Sequence, residues 1–335
     1  MKQDVEEVHP QAEAANAGVT GFSKWSKLEK IKFLAQHLEQ NTHQSPESFC
    51  KLMQSFWHPD VEVQKVFDEF AENTITNFYF PYGVVPNFLL NGKSYSVPMV
   101  IEESSVVAAC SKSAKFWRDR GGFCAQVIDT EKVGQVHFYW TGNPQKLERL
   151  FTLKKKELLA FVTPLTSNMQ ARGGGIKSLS LINKTSEDAG LFQLFVTFET
   201  CDAMGANFIN SILEALSQRW KEMVLESPEF VGSEKDLFVI MSILSNFTPN
   251  CRVRTQVQCP IDQLDDGTLG MTAGEFAYKF CKAIKIAELD VYRATTHNKG
   301  IFNGIDAVVL ATGNDFRAVE ACGHAYAAES GRYRS

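Results

Sequence analysis

Three segments of the sequence combine charged, hydroxyl and amide side chains with small residues. They are Glu102-Glu103-Ser104-Ser105, Asp202-Ala203-Met204-Gly205-Ala206-Asn207 and Arg293-Ala294-Thr295-Thr296-His297-Asn298-Lys299-Gly300. The third segment is followed by Asn303 and by Gly313-Asn314-Asp315. A positioned ammonium stabilises an oxygen that becomes negative in a transition state, and a positioned carboxyl group can donate a proton. The third segment could therefore place a lysine ammonium beside an oxygen that becomes negative.

Lys299 and Asp315 stand sixteen residues apart, on either side of a predicted strand. If the flanking loops fold back, Asp315 would hold the Lys299 ammonium charged and aimed at such an oxygen. The alternative is a surface ion pair, which contributes little. Glu102 and Glu103 also have two possible roles. They could take part in chemistry, or they could only complement the helix dipole as acidic residues at a helix start.

The segment from Asp202 to Asn207 precedes a predicted long helix. Free backbone N–H groups at a helix N-terminus suit phosphate or carboxylate groups, and Gly205 would let a ligand approach the backbone. The alternative is that Asp202 only caps the helix. No G-x-G-x-x-G follows a strand, so the sequence does not indicate a Rossmann dinucleotide site.

Composition excludes several classes of protein. The chain has 335 residues, a net charge of −5, 44% hydrophobic and 22% charged residues, which is typical of a globular protein and suggests two domains. We expect no nucleic-acid partner, because no block of Lys and Arg is present, and no membrane span, because no apolar run approaches about 18 residues. Eight cysteines without C-x-x-C or zinc spacing indicate reduced thiols and no metal site. Residues 1–21 are expected to be a disordered leader.

The elements between 129 and 246 alternate in the order β-α-β-β-α-β. Period-two alternation predicts strands, and helical spacing of apolar residues predicts helices. The predicted strands are 133–140, 176–182, 191–198 and 237–244, and the predicted helices are 144–161 and 205–225. This order is that of a ferredoxin-like domain, which we take to be inserted.

The flanking regions predict mostly helix. A capping box at Ser26 and Glu29 begins one helix, another covers 61–73, and Asn91-Gly92 predicts a hairpin turn. After 246 we expect a strand at 252–257, a helix at 272–289 that begins with a capping box at Thr272 and Glu275, a polar loop at 293–303, a strand at 307–311 and a helix at 315–327.

Residues 100–109, 202–207, 292–306, 311–315 and 317–321, in this order, resemble class II 3-hydroxy-3-methylglutaryl-coenzyme A (HMG-CoA) reductases. The resemblance implies an α+β subunit with a large, mostly helical domain that binds acyl-CoA, formed by 22–128 and 247–335. A ferredoxin-like NAD(P)-binding domain at 129–246 would be inserted into it. It also implies a cytoplasmic homodimer or higher oligomer of the mevalonate pathway, with its active sites between subunits.

The implied reaction is the NAD(P)H-dependent, four-electron reduction of HMG-CoA to mevalonate and CoA, or its reverse. By resemblance Lys299 would stabilise each oxyanion, Asp315 would hydrogen-bond to Lys299, and Glu103 would be the general acid. A carboxyl group must be protonated to act as an acid near neutral pH, so we expect Glu103 to be buried.

The resemblance also implies binding roles. The residues expected to hold the substrate are Ser105, Arg293, Asn303 and, for a CoA phosphate, Lys24; those expected to contact the dinucleotide are Asp202, Gly205 and Asn207. Members that prefer NADH carry an acidic residue in the loop before the triple glycine, whereas the expected loop of this chain reads Thr166-Ser167-Asn168. NADPH is therefore favoured, with NADH as the alternative.

Two departures from the family pattern stand out. Ser104 replaces a proline, and no histidine lies in the context of the family's C-terminal flap, whose histidine protonates the departing CoA thiolate. We expect the chain to be a fragment of a longer reductase, the alternative being a natural truncation. Competing functions are a non-catalytic paralogue that binds acyl-CoA or dimerises, and a lyase that forms a Schiff base on Lys299.

Overall fold

The computed structural model describes residues 18–42, 45–265, 267 and 270–335. The chain divides into two compact units, Met1–Phe80 and Pro81–Ser335. Most of the predicted leader, up to residue 17, lies outside the described residues.

The described part of the first unit contains three helices after a 3-10 turn at Phe22–Lys24. They are α1 (Lys27–Thr42), α2 (Pro46–Ser55) and α3 (Val61–Glu69). The predicted capping box is present, since the Glu29 carboxylate accepts a hydrogen bond of 2.7 Å from the Ser26 backbone N–H. Helix α2 was not predicted, and α3 ends four residues before the predicted boundary.

The second unit begins with a hairpin and a helix. Strands β1 (Tyr82–Leu90) and β2 (Lys93–Val100) are joined by Asn91 and Gly92, whose φ angles of 50° and 77° confirm the predicted turn. Helix α4 (Ser104–Arg118) packs on the hairpin, and β3 (Cys124–Asp129) follows. A small core joins these elements to the C-terminal helices; its fully buried members are Val85, Met99, Ala114 and Ala307.

A four-stranded antiparallel sheet forms the middle of the second unit. Its elements are β4 (Glu131–Trp140), α5 (Pro144–Gln170), β5 (Gly175–Asn183), β6 (Leu191–Glu199), α6 (Ala206–Glu226) and β7 (Leu237–Ser245). The strands lie in the order β5-β6-β4-β7. These six elements follow the predicted order, although α5 continues past its predicted end at 161 and through Pro164.

Alternation along the strands builds a large core on one face of this sheet. Val136, Phe138 and Trp140 of β4 are at most 1% exposed, and every second residue of β6 is buried in the same way. Trp220 of α6 is fully buried against the same core. Burial of each large apolar side chain contributes about 1.5–3 kcal/mol, so this core accounts for much of the stability of the region.

The last elements form a ribbon and three helices. Strand β8 (Arg252–Gln256) pairs antiparallel with β3, and α7 (Ala273–Leu289), α8 (Val291–Ala311) and α9 (Phe316–Ala327) follow. The predicted loop at 293–303 and strand at 307–311 are wrong, because both belong to α8. Asp290 caps α8, and its buried residues Ala294, Asn298 and Phe302 recur every fourth position, which is the helical period.

The predicted mixed α+β class is confirmed. In the described part of the chain, none of the helices has the length and apolar character needed to cross a bilayer.

Candidate active site

Glu103, Ser105 and Lys299 lie together at the start of α4. Glu103 is the N-cap residue of that helix, and the Ser105 hydroxyl donates a hydrogen bond to the Glu103 carboxylate. The Lys299 Nζ atom of α8 is 3.8 Å from the other carboxylate oxygen of Glu103. The structure therefore brings a candidate proton donor and a candidate oxyanion-stabilising cation to one point.

This cluster is open to solvent. The side chains of Lys299 and Glu103 are 65% and 49% exposed, so the expected burial of Glu103 is wrong for the single chain. An ion pair this exposed contributes little to folding stability, because water screens it. The Lys299 ammonium consequently has donors free for a substrate oxygen.

Asp315 lies elsewhere, and its predicted contact with Lys299 is wrong within one chain. Among the described residues, Lys299 pairs within 4.0 Å with Glu103 and not with Asp315. Asp315 caps α9, accepting from the Ala318 N–H at 3.1 Å and the Arg317 Nε–H at 3.2 Å. These hydrogen bonds, that of Ala318 first, lower the pKa of Asp315.

The physical reason is that α8 is continuous. From Lys299 to the end of α8 at Ala311 the helix rises about 18 Å, at about 1.5 Å per residue, and Asp315 comes only after that end. The loop and strand predicted from the sequence would have allowed the chain to fold back, whereas a rigid helix does not.

The predicted substrate residues are distributed along the chain. Asn303 follows Lys299 by four residues and therefore lies on the same face of α8, while Arg293 is in the first turn of that helix. Within the described residues Arg293 makes no ion pair. Lys24 is the last residue of the 3-10 turn in the first unit.

A cleft of about 1050 Å³ lies between the segment before α6, the end of β7, strand β8 and helices α8 and α9. Its lining includes Asp202, Met204, Asn246, Arg252 and Asp315. In the described part of the chain Glu103 and Lys299 are not part of this lining. The cleft is large enough to hold an extended ligand, since typical small-molecule pockets measure about 300–1,000 Å³.

Gly205 forms the entry to α6. Its φ of 80° is a left-handed conformation, and a Cβ atom there would lie 2.5 Å from the Thr200 Cγ2 atom. Glycine is therefore required at this N-cap position. Among the described residues no side chain caps α6, whose N-cap residue is Gly205, so the alternative of Asp202 as the N-cap is wrong. Asn207 lies in the first turn.

Two further observations correct or extend the sequence expectations. Thr166-Ser167-Asn168 are not in a loop but in the last turn of α5, where the buried Thr166 hydroxyl donates to the Thr163 carbonyl. The sequence pattern did not point to the cationic side of the cleft. The cationic residues there are Lys132, Arg252 and Arg254. The Arg-x-Arg spacing on the predicted strand 252–257 is the sequence signal that could have identified the two arginines. The described residues contain no cluster of three or more metal-ligating side chains.

Comparison with known proteins identifies the family. A family model described as hydroxymethylglutaryl-coenzyme A reductase matches residues 29–334. The 3-hydroxy-3-methylglutaryl-coenzyme A reductase of Archaeoglobus fulgidus is 31% identical over 318 residues, which is 95% of this chain and 67% of that protein. A probable reductase of Borreliella burgdorferi is 32% identical over 87% of this chain and 63% of its own length. The chain thus spans about two thirds of the length of these curated relatives.

Solved structures agree with this result. The 3-hydroxy-3-methylglutaryl-coenzyme A reductase of Streptococcus pneumoniae superposes with a TM-score of 0.73 at 37% identity, covering 95% of this chain and 80% of that one. A second structure of this class II enzyme, bound to NADPH in open conformations, matches equally well. The chain therefore belongs to the hydroxymethylglutaryl-coenzyme A reductase family, and its structural relatives are of class II.

Proposed function

We propose that this chain is an NAD(P)H-dependent HMG-CoA reductase, which converts HMG-CoA to mevalonate and CoA or catalyses the reverse oxidation. The observation that carries the proposal is the Lys299 ammonium 3.8 Å from the Glu103 carboxylate, in a chain of this family. This arrangement suits a reaction in which a carbonyl oxygen first becomes negative and then takes a proton.

The nicotinamide, when bound, would supply two hydrides in turn. The first would add to the thioester carbonyl to give a hemithioacetal, whose C–S bond then breaks to release CoA and leave the aldehyde, and the second would add to that aldehyde. Lys299 stabilises the oxyanion that each addition leaves. Glu103 in its protonated form delivers a proton to that oxygen, and the Ser105 hydroxyl orients the Glu103 carboxyl group through its hydrogen bond. Because the Glu103 side chain is half-exposed in the free chain, a bound substrate can contact its carboxyl group directly.

The remaining site residues have binding roles in this proposal. Arg293 pairs with the free carboxylate of the hydroxymethylglutaryl group, since a guanidinium can bind a carboxylate through two hydrogen bonds. Asn303, one turn after Lys299, and Ser105 hold the same group, and Lys24 binds a CoA phosphate. Helix α8 separates Asp315 from Lys299 within one chain. In the active site between two subunits, Asp315 of one subunit therefore orients Lys299 of the other.

The sheet region from 129 to 246 is proposed to be a ferredoxin-like NAD(P)-binding domain inserted into a larger acyl-CoA-binding domain, 22–128 and 247–335. Its β-α-β-β-α-β order and its strand order support this assignment. Asp202, Gly205 and Asn207 at the start of α6 contact the dinucleotide, which is NADPH in preference to NADH. The active assembly is a cytoplasmic homodimer or a higher oligomer.

The test is turnover by the purified full chain. We expect NADPH oxidation that depends on mevaldehyde, with mevalonate detected by mass spectrometry, because this second reduction needs only a hydride and a proton on oxygen. HMG-CoA is assayed in parallel. If NADPH and HMG-CoA bind but no mevalonate forms from mevaldehyde or from HMG-CoA, the result favours the non-catalytic binding protein instead.

A further inference from the structure

The cleft between β8 and the C-terminal helices has one strongly cationic side. Arg252 and Arg254 occupy alternate positions of β8, so both side chains project from the same face of that strand. Both residues are exposed and line the cleft. Lys132 of strand β4 lines it as well.

In the part of the chain that the structure describes, the two arginines have no side-chain partner of their own. Within the described residues neither guanidinium forms an ion pair or a side-chain hydrogen bond. Asp129, which faces Arg252 across the β3–β8 ladder, is held instead by Lys177 at 3.1 Å. Lys132 differs, since its ammonium donates to the Cys251 sulfur at 2.8 Å. The arginines are therefore the cationic groups of this cleft that remain available to a ligand.

The geometry suits a phosphate group. Residues two apart on a strand are about 7 Å apart, so two guanidinium groups can approach one phosphate or one pyrophosphate from both sides. Arginine binds phosphate through paired N–H donors, which makes it the usual residue for this recognition. The cleft also contains the Asp202–Met204 segment that leads into the N-terminus of α6.

We propose that Arg252 and Arg254 bind a phosphate group of an adenine nucleotide. The inference rests on the proposed function, because NADPH and CoA both contain a phosphorylated adenosine. The two sources differ in the position of the ribose phosphate, which is 2′ in NADPH and 3′ in CoA. The same contact would thereby decide either the preference for NADPH over NADH or the affinity for CoA.

The experiment measures binding of adenosine 2′,5′-bisphosphate and adenosine 3′,5′-bisphosphate to the full chain by calorimetry. The variants are R252Q, R254Q and the double variant. R149Q is the matched control, since Arg149 is exposed on α5 outside the cleft and carries the same charge. Circular dichroism and the melting temperature establish that each variant folds.

We expect the double variant to weaken one bisphosphate at least tenfold, with the other bisphosphate and the R149Q control within twofold of wild type. The affected compound identifies the source of the phosphate. Equal binding of both bisphosphates by the wild type and the double variant would overturn the inference. Mevaldehyde reduction by a wild type that binds neither compound would also overturn it, while leaving the proposed function intact. Arginine-dependent binding without any turnover would instead contradict the proposed function alone.

Discussion

Glu103 has a neighbour of the same type that serves as its control. Glu102 directly precedes it, but Glu103 is the carboxylate that contacts Ser105 and Lys299. We predict that Glu103→Gln lowers kcat for mevaldehyde reduction about 100-fold or more, because the amide cannot donate the proton of a carboxyl group. NADPH affinity should stay within twofold. Steady-state kinetics with Glu102→Gln as the matched variant tests this, and equal losses in both variants would contradict the role of Glu103.

A second pair of carboxyl groups lies between α8 and α9. The Oδ1 atom of Asp306 is buried and has no hydrogen-bond partner among the described residues. Burial and the nearby Glu320 raise the pKa of Asp306 from 3.8 to about 6. The folded chain therefore keeps this proton over a pH range in which the unfolded chain has lost it.

The sign of the pH effect follows from this difference in bound protons. Between about pH 4 and pH 6 the folded state binds more protons than the unfolded state, so the contribution of Asp306 to stability decreases as the pH rises. Asp306→Asn removes the titration and gives Glu320 a permanent amide donor. We predict a melting temperature about 3 °C above wild type at pH 7.5 and a much smaller difference at pH 4.5. A difference that does not change with pH would contradict this account.

Helix α8 shows which local signals sequence reading could use and which it could not. The runs of polar residues and glycines near Lys299 are typical of a loop, and Ala307–Ala311 is rich in β-branched residues, as strands are. Tertiary packing overrides these local preferences and makes the segment helical, because Ala294, Asn298 and Phe302 form a buried stripe at helical spacing. The misreading placed Lys299 and Asp315 within reach of each other, so an error in one element became an error in the site.

Elsewhere the local signals were sufficient. The capping pair Thr272 and Glu275, the Asn91-Gly92 turn and the alternation in β4 and β6 each act through nearby atoms, and these predicted elements agree with the structure. Strand β3 was missed because its partner β8 lies more than 120 residues away and its residues are mostly exposed. The contact of Lys299 with Glu103 also joins distant parts of the chain. The resemblance to a known family gave both residues catalytic roles, but it did not predict this contact.

Replacing glycine by alanine should have opposite effects on stability at two positions of the C-terminal helices. Gly304 lies inside α8 with open space around the position of a Cβ atom in the described chain, so Gly304→Ala should stabilise by about 0.5–1 kcal/mol. A Cβ atom at Gly323 of α9 would collide with the Phe302 ring, which lies tilted against the His324 ring. Gly323→Ala should therefore destabilise by about 1–3 kcal/mol. Urea unfolding of both variants measures the two values, and equal signs would show that the packing of α8 on α9 is not as described.

At the scale of the molecule, the large core is self-contained. All of its fully buried members lie between Val136 and Leu237, within the proposed domain 129–246. We predict that residues 129–246 expressed alone fold cooperatively and bind NADPH, whereas a chain that starts at 160 does not fold, because it lacks β4 at the centre of the sheet. Thermal unfolding followed by circular dichroism tests the first statement, and a non-cooperative transition would argue against an inserted domain.

The whole account depends on Lys299 as the group that stabilises negative charge on oxygen. The most direct measurement compares mevaldehyde reduction by wild type, Lys299→Ala and the control Lys285→Ala, whose lysine forms an exposed ion pair with Glu288. We predict that Lys299→Ala loses about 100- to 1,000-fold in kcat, as expected when an oxyanion-stabilising donor is removed, with unchanged NADPH affinity. A Lys299→Ala variant that reduces mevaldehyde at the rate of Lys285→Ala would contradict the account.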